Sequence, residues 1–180
     1  MGKKKSITEV RGPKMAKEST LKIALNPKAG RPAIPDYGLS NSKKGLLPWK
    51  WALDRLRKSR QYWIATTRPD GSPHVMVIWG LWLEDGFYFS TGKTSRKAKN
   101  LAANPHCVIC SENAAEAIIV QGVVESAPPE SMAPIFAAYK KKYKLDVSDM
   151  GEPFYHVQPT VAFGLYEKKF AETATRWIFS

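Results

Sequence analysis

The chain has 180 residues, 43% of them hydrophobic, with six Trp, seven Tyr and seven Phe. That is one domain of ordinary size with ample material for a core, which excludes a wholly disordered chain. Twenty-eight Lys and Arg against 16 Asp and Glu leave a formal charge of +12, and two cysteines cannot build a disulfide framework.

Residues 1–45 hold eleven Lys and Arg against three Asp and Glu, so the basic character sits mainly there. The segment contains Pro13, Pro27, Pro32 and Pro35 and no sustained apolar period. It predicts an extended arm, flexible to about residue 30, ahead of a folded domain over 46–180. Such an arm either touches nucleic acid or an anionic surface, or is a solvated leader lying free or along its own domain. No aromatic residue interrupts the lysines before Tyr37, which favours the second reading. The opening Met-Gly-Lys-Lys-Lys-Ser has no apolar run behind it, which argues against a secretory signal and for a cytoplasmic address. No stretch approaches the length of about 18 apolar residues that a membrane helix needs.

Pro48 to Leu56 predicts a helix, with Pro near its first position and Trp49, Ala52, Leu53 and Leu56 on one face. Tyr62 to Thr67 is rich in strand formers, and Arg68-Pro-Asp-Gly-Ser72 is a turn. His74 to Leu83 predicts one long apolar strand, buried on both faces or lining a ligand. Glu84-Asp-Gly86 turns the chain into a third strand, Phe87 to Thr91, completing an antiparallel meander. Thr94 or Ser95 caps a helix that Asn104-Pro105 stops. Further strands are expected at Cys107–Cys110, Ala117–Glu125, Thr160–Tyr166 and Thr175–Phe179, with a helix over Pro129–Lys144. About seven short strands and three helices predict an α+β domain, mainly antiparallel β, built on a barrel.

Most motifs of catalysis are missing. There is no Gly-x-Gly-x-x-Gly, no phosphate loop with Lys-Ser/Thr, no Gly-x-Ser-x-Gly and no His-Glu-x-x-His. The three histidines lie far apart in sequence, and on a strand Cys107 and Cys110 face opposite ways, so no metal is expected. The informative run is Phe89-Ser-Thr-Gly-Lys-Thr-Ser-Arg-Lys-Ala-Lys-Asn100. It places cations in the first turn of a helix, where the helix end already carries partial positive charge. A phosphate would reverse that cost, gripped by free amides, the Thr94 or Ser95 hydroxyl and Arg96. The alternative is a solvated basic face. The neighbouring apolar strand offers a surface for a flat ring, so phosphate at one end and a heterocycle at the other describe a flavin-like ligand.

The run from Thr67 to Trp82, followed by Phe87 to Pro105, resembles the pyridoxamine 5′-phosphate oxidase-like flavin-binding split β-barrels. The likeness continues through Gly122-Val-Val-Glu125 to Ala174-Thr-Arg-Trp177 and covers roughly residues 46–180. It implies a split barrel of six or seven strands that forms a homodimer with its cofactor in the cleft between subunits. It implies contacts to the ring and ribityl chain from His74, Val75, Met76, Val77, Ile78 and Trp79. Ser90 and Thr91 would meet the ribityl and phosphate region, and Ser95, Arg96 and Lys97 the phosphate. The vitamin oxidases begin that strand with Arg and end it with Lys, where this chain has His74 and Trp79, and their Arg-Leu-His-Asp motif is absent. The chain is therefore more similar to the branch that includes deazaflavin (F420) reductases. The expected activity is an FMN- or F420-dependent oxidoreductase acting on a small organic substrate, with Trp79, Trp82 and Trp177 either walling the substrate space or forming ordinary core. No protein side chain is assigned a catalytic role, because the ring carries the redox chemistry. A non-catalytic flavin carrier or sensor on the same fold is the second reading. Nucleic-acid binding through the arm ranks last.

Overall fold

A computed structural model describes residues 25–39, 41–84 and 86–180. The first 24 residues of the basic arm lie outside the described residues. Among the described residues nine strands and four α-helices follow one another as β1 (Lys28–Gly30), α1 (Trp49–Lys58), β2 (Tyr62–Thr67), β3 (Pro73–Ile78), β4 (Leu81–Leu83), β5 (Gly86–Ser90), α2 (Arg96–Ala103), β6 (His106–Ser111), β7 (Glu116–Ser126), α3 (Met132–Tyr143), β8 (Phe154–Tyr166), α4 (Phe170–Thr173) and β9 (Thr175–Ile178). All strand pairs are antiparallel. Among the described residues no helix is long and apolar enough to cross a membrane.

The sheet runs β1-β9-β8-β7-β6-β2-β3. The 13-residue β8 organises it: β7 pairs along its length, while its other edge takes β5 at residues 154–157 and β9 at 161–164. The register shifts opposite Gln121/Gly122, where Thr160 is the extra residue in β8, and such an extra residue bends its strand, here β8 between those two halves. At that bend Gly122 lies so close to the β8 backbone that a Cβ would sit 2.6 Å from the Gln158 carbonyl oxygen. β4 pairs only with β5, and β3 only with β2, so the barrel stays open between β3 and β4.

The sequence predicts one strand from His74 to Leu83; the structure breaks it at Trp79-Gly80. The cause is packing. A Cβ at Gly80 would lie 2.1 Å from the far carbon of the Phe87 ring, so the chain passes where no side chain fits. The expected burial of this strand also differs. Val75, Met76 and Val77 are 50%, 46% and 41% exposed.

The barrel interior is filled by alternate residues of the strands, including Tyr62, Ile64, Phe87, Phe89, Ile109 and Val120. Helix α1 closes one end. Its Trp49 ring meets Trp82, Trp177 and Phe179 edge-to-face at centroid separations of 5.6, 5.3 and 5.1 Å, the preferred geometry for aromatic pairs. A second core lies between α3 and the strands, where Ile135, Tyr139 and Tyr143 pack on Leu81, Tyr88 and Phe154. The described end of the arm lies along the domain. Lys28–Gly30 pair with β9, and the Arg31 guanidinium donates to the carbonyls of Ser42, Ala174 and Lys44 at 3.0, 3.0 and 2.7 Å.

Candidate functional site

The cation-rich helix start forms as its sequence requires. Ser95 is the N-cap of α2, and its hydroxyl accepts from the Ala98 amide at 3.1 Å. The Ser95 amide donates to the Gly92 carbonyl at 2.9 Å, and the Thr91 and Ser95 hydroxyls are 3.0 Å apart. The turn from β5 into α2 is thus fixed by its own side chains. No acidic residue lies in the first turn of α2, so the partial positive charge of the helix end and its lysines is not offset within the helix; the nearby carboxylate is that of Glu152, across the cavity beside Gly92.

That turn faces the end of β3 across a cavity of about 320 Å³. Of the expected ligand residues, Val77, Ile78, Trp79, Ser90, Thr91 and Lys97 line it. Since β3 pairs on one edge only, its other edge keeps backbone donors and acceptors free for a ligand. The opposite wall is Tyr139 of α3, Leu145, Val147, Met150 and Glu152 of the following loop, and Phe154 of β8. The sequence reading missed this wall. Tyr139 was legible only as part of an apolar helix face, and the loop residues carry no local signal. The Ser90 hydroxyl ties this loop down by donating to the Pro153 carbonyl at 2.9 Å.

His74 stands beside the cavity without lining it. Its ring nitrogen lies 3.4 Å from the Thr66 hydroxyl. Desolvation, followed by the positive charges of Arg68, Lys97 and Arg96, lowers its pKa below the ordinary value. Three cations therefore converge on this corner. Asn100 sits behind it, fully buried, donating to the Thr66 hydroxyl at 3.0 Å. Val75 and Met76 lie on β3 but outside the cavity lining; the Val75 and Val77 side chains pair across the open sheet face with Ala65 and Trp63. Ser95 is spent on the helix cap and on Thr91, and Arg96 is exposed at the helix start.

Trp82 and Trp177 are corrections. Both were expected to wall a substrate space; both are buried in the barrel core against Trp49. Their strands are flanked by core on the inner side, and alternation turns these two residues inward. Trp79 alone of the three lines the cavity. A second depression, about 290 Å³, lies on the outer face between β2, β6 and β7 and takes in none of the expected ligand residues. Among the described residues no three His, Cys, Asp or Glu side chains are grouped to hold a metal ion.

The family model described as pyridoxamine 5′-phosphate oxidase matches residues 50–168. Among solved structures, an F420 reductase is 24% identical, with a TM-score of 0.51 over 61% of this chain and 93% of its own. A NimC/NimA family protein from Clostridium acetobutylicum is 20% identical, with a TM-score of 0.55 over 68% and 91%. The heme storage protein HutZ from Vibrio cholerae is 16% identical, with a TM-score of 0.50 over 59% and 85%. At these identities the likeness is one of fold. No curated protein matches the chain.

Proposed function

The chain belongs to the pyridoxamine 5′-phosphate oxidase family, and from that premise we propose that it is an FMN-dependent oxidoreductase acting on a small organic substrate as a homodimer. The observation that carries the reading is the joining of two unlike surfaces in one cavity: the bare apolar edge of β3 and the cationic start of α2. The residues fit such a cofactor. The unpaired backbone edge of β3 at Val77 and Ile78 suits the polar rim of a flat heterocycle. Ser90 and Thr91 offer hydroxyls midway. Lys97 and Arg96, with the α2 amides, supply the charge that a phosphate requires. The cavity volume lies within the range of about 300–1,000 Å³ usual for ligand sites.

When bound, the ring supplies hydride or electron transfer. The chain's own residues hold and shield it. Lys97 and Arg96 would neutralise the phosphate, Trp79 would lie against the ring, and Tyr139, Leu145, Val147 and Phe154 would keep water from one side of the cavity. F420 is the second reading, favoured by the exposed Lys93 at the same turn, where a longer anionic tail would find charge.

The homodimer reading rests on the outer face of β2, β3 and β6. There Trp63, Val75 and Val77 are exposed together, and Trp63 pairs with Val77 and Cys110. A contiguous apolar sheet face of that kind suits a second copy.

The deciding experiment is mass spectrometry of the ligand that copurifies from a host making both FMN and F420, followed by titration of each into wild type and Lys97→Ala. The expected result is a bound flavin whose affinity falls about tenfold or more without the Lys97 charge, the worth of one charge-assisted contact. A colourless protein that takes up neither coenzyme would sink the proposal. Flavin binding without turnover against any hydride donor and acceptor pair would leave a carrier or sensor instead of an enzyme.

A further inference from the structure

The gap between β3 and β4 has no sheet ladder to hold it, yet the carbonyls of Trp79 and Gly80 and the Gly80 amide are held by side chains of α3. The Tyr139 hydroxyl donates to the Trp79 carbonyl at 3.3 Å. The Gly80 amide donates to the Tyr143 hydroxyl at 2.9 Å. The Lys142 ammonium donates to the Gly80 carbonyl at 3.0 Å and to the Tyr62 hydroxyl at 2.8 Å. Tyr143 has one hydroxyl hydrogen and two carbonyls within reach, those of Gly80 and Arg60, each at 2.8 Å. The Trp79 ring lies flat on Tyr143, with centroids 4.7 Å apart and planes 5° from parallel. All three clamping residues come from the last turns of α3, a helix remote in sequence from the strand break.

Two of the groups so fixed, Trp79 and Tyr139, line the cavity, whereas Lys142 does not touch it. We infer that Lys142 is a positioning residue for the cavity: its ammonium, bonded to the Gly80 carbonyl, sets the Trp79 ring as the wall against which a planar ligand is held. The ligand's class rests on the flavin reading above; the coupling of Lys142 to Trp79 does not.

Tyr143 can give its single hydrogen to only one of its two carbonyls. Whenever it turns to Arg60, Lys142 is the donor left on the Gly80 carbonyl. The ammonium is also held over the faces of Tyr62 and Tyr143, 4.9 and 5.4 Å from their centroids, contacts that only a cation makes favourably. Loss of its proton leaves an amine with two N–H groups but no charge assistance, so the clamp slackens without opening. Burial pushes the Lys142 amine down to about 8, opposed by the Glu112 carboxylate and aided by the Arg60 guanidinium. The hydroxyls facing it, Tyr62 on β2 and Tyr143 on α3, are pushed up by burial, as is Tyr139. Of these facing groups, Lys142 is the one whose charge changes between pH 7 and 9.

The test reads the Trp79 signal directly, as the fluorescence difference between wild type and Trp79→Phe from pH 7 to 9. It then repeats the measurement in a Lys142→Met background and titrates FMN at each pH. The expected result is a Trp79 signal that shifts with a midpoint near pH 8 in wild type and stays flat with Met at 142. FMN affinity in the Met variant is expected to be about tenfold weaker at pH 7 and independent of pH, with wild type moving toward it by pH 9. A wild-type signal with no midpoint in that range, or the same midpoint in the Met variant, overturns the inference. Should the Met variant fail to fold, the wild-type titration decides alone. If the Trp79 signal titrates as expected while wild type binds no flavin, the flavin reading falls and the positioning role stands.

Discussion

Replacing Gly80 with Ala tests the break in the strand at its tightest point. The added methyl would lie 2.1 Å from the far carbon of Phe87 and 2.8 Å from both of its neighbours, where ordinary carbon contacts need about 3.5–4 Å. Something must move by roughly an ångström and a half. Phe87 cannot easily do so, because it is fully buried and its ring packs edge-on against Tyr62 at 4.7 Å. The Gly80 backbone cannot easily do so either, since Tyr143 and Lys142 hold its amide and carbonyl. Overpacking a core typically costs about 1–3 kcal/mol, and with both sides pinned the upper figure applies. For a domain of this size that lowers Tm by about 6–12 °C. Thermal unfolding followed by far-UV circular dichroism measures it. The background Phe87→Leu supplies the control: Leu lacks the distal ring carbons, so Gly80→Ala should cost at least about 1 kcal/mol less there. A drop below about 2 °C in the single variant, or equal costs in both backgrounds, refutes the packing account of the break.

Three further outcomes follow from the same geometry. Trp177→Phe should lower stability by about 1–3 kcal/mol in denaturant titration while leaving flavin affinity within about twofold, and Trp79→Ala should do the reverse. The His74 ring proton, followed by NMR, should titrate below the usual 6.5 because burial and three cations disfavour its charged form, and inorganic phosphate should raise that inflection. By the same sign, any stability that His74 contributes is present above pH 6.5 and lost as pH falls below it; an inflection indifferent to phosphate would remove the anion from this corner. Trp63→Glu should turn a dimer into a 20.2 kDa monomer by light scattering, and a mass unchanged from wild type would move the subunit contact elsewhere.

The parts of the fold legible in the sequence are those whose signals are local. The Asp70-Gly71 turn, the Ser95 cap and the Asn104-Pro105 stop each act over a few residues. They placed β2, the start of β3, β5, α2 and β6 close to where they lie. The half of the site on β3, β5 and α2 was legible for the same reason: its residues are nearly contiguous from Val77 to Lys97. What stayed hidden depends on distant partners. Gly80 breaks a run of apolar residues because Phe87 occupies the space above it. β1 has no alternating pattern, and its three residues are strand because β9 offers a free edge. In sequence Trp82 and Trp177 read equally as pocket wall or core; Trp49, more than 30 and 120 residues away in the chain, makes them core.

The behaviour of β3 joins these strands of argument. An apolar strand with one unpaired edge is a hazard for aggregation unless something covers it. Here the two exposures point different ways. The side chains of Val75 and Val77 extend the open sheet face with Trp63, while the free backbone edge and the Trp79 ring border the cavity. A second copy can cover the first and a planar ligand the second, but neither can cover both. The clamp from α3 keeps them separate, because it holds the chain at Gly80, where β3 has ended and Trp79 turns to the cavity.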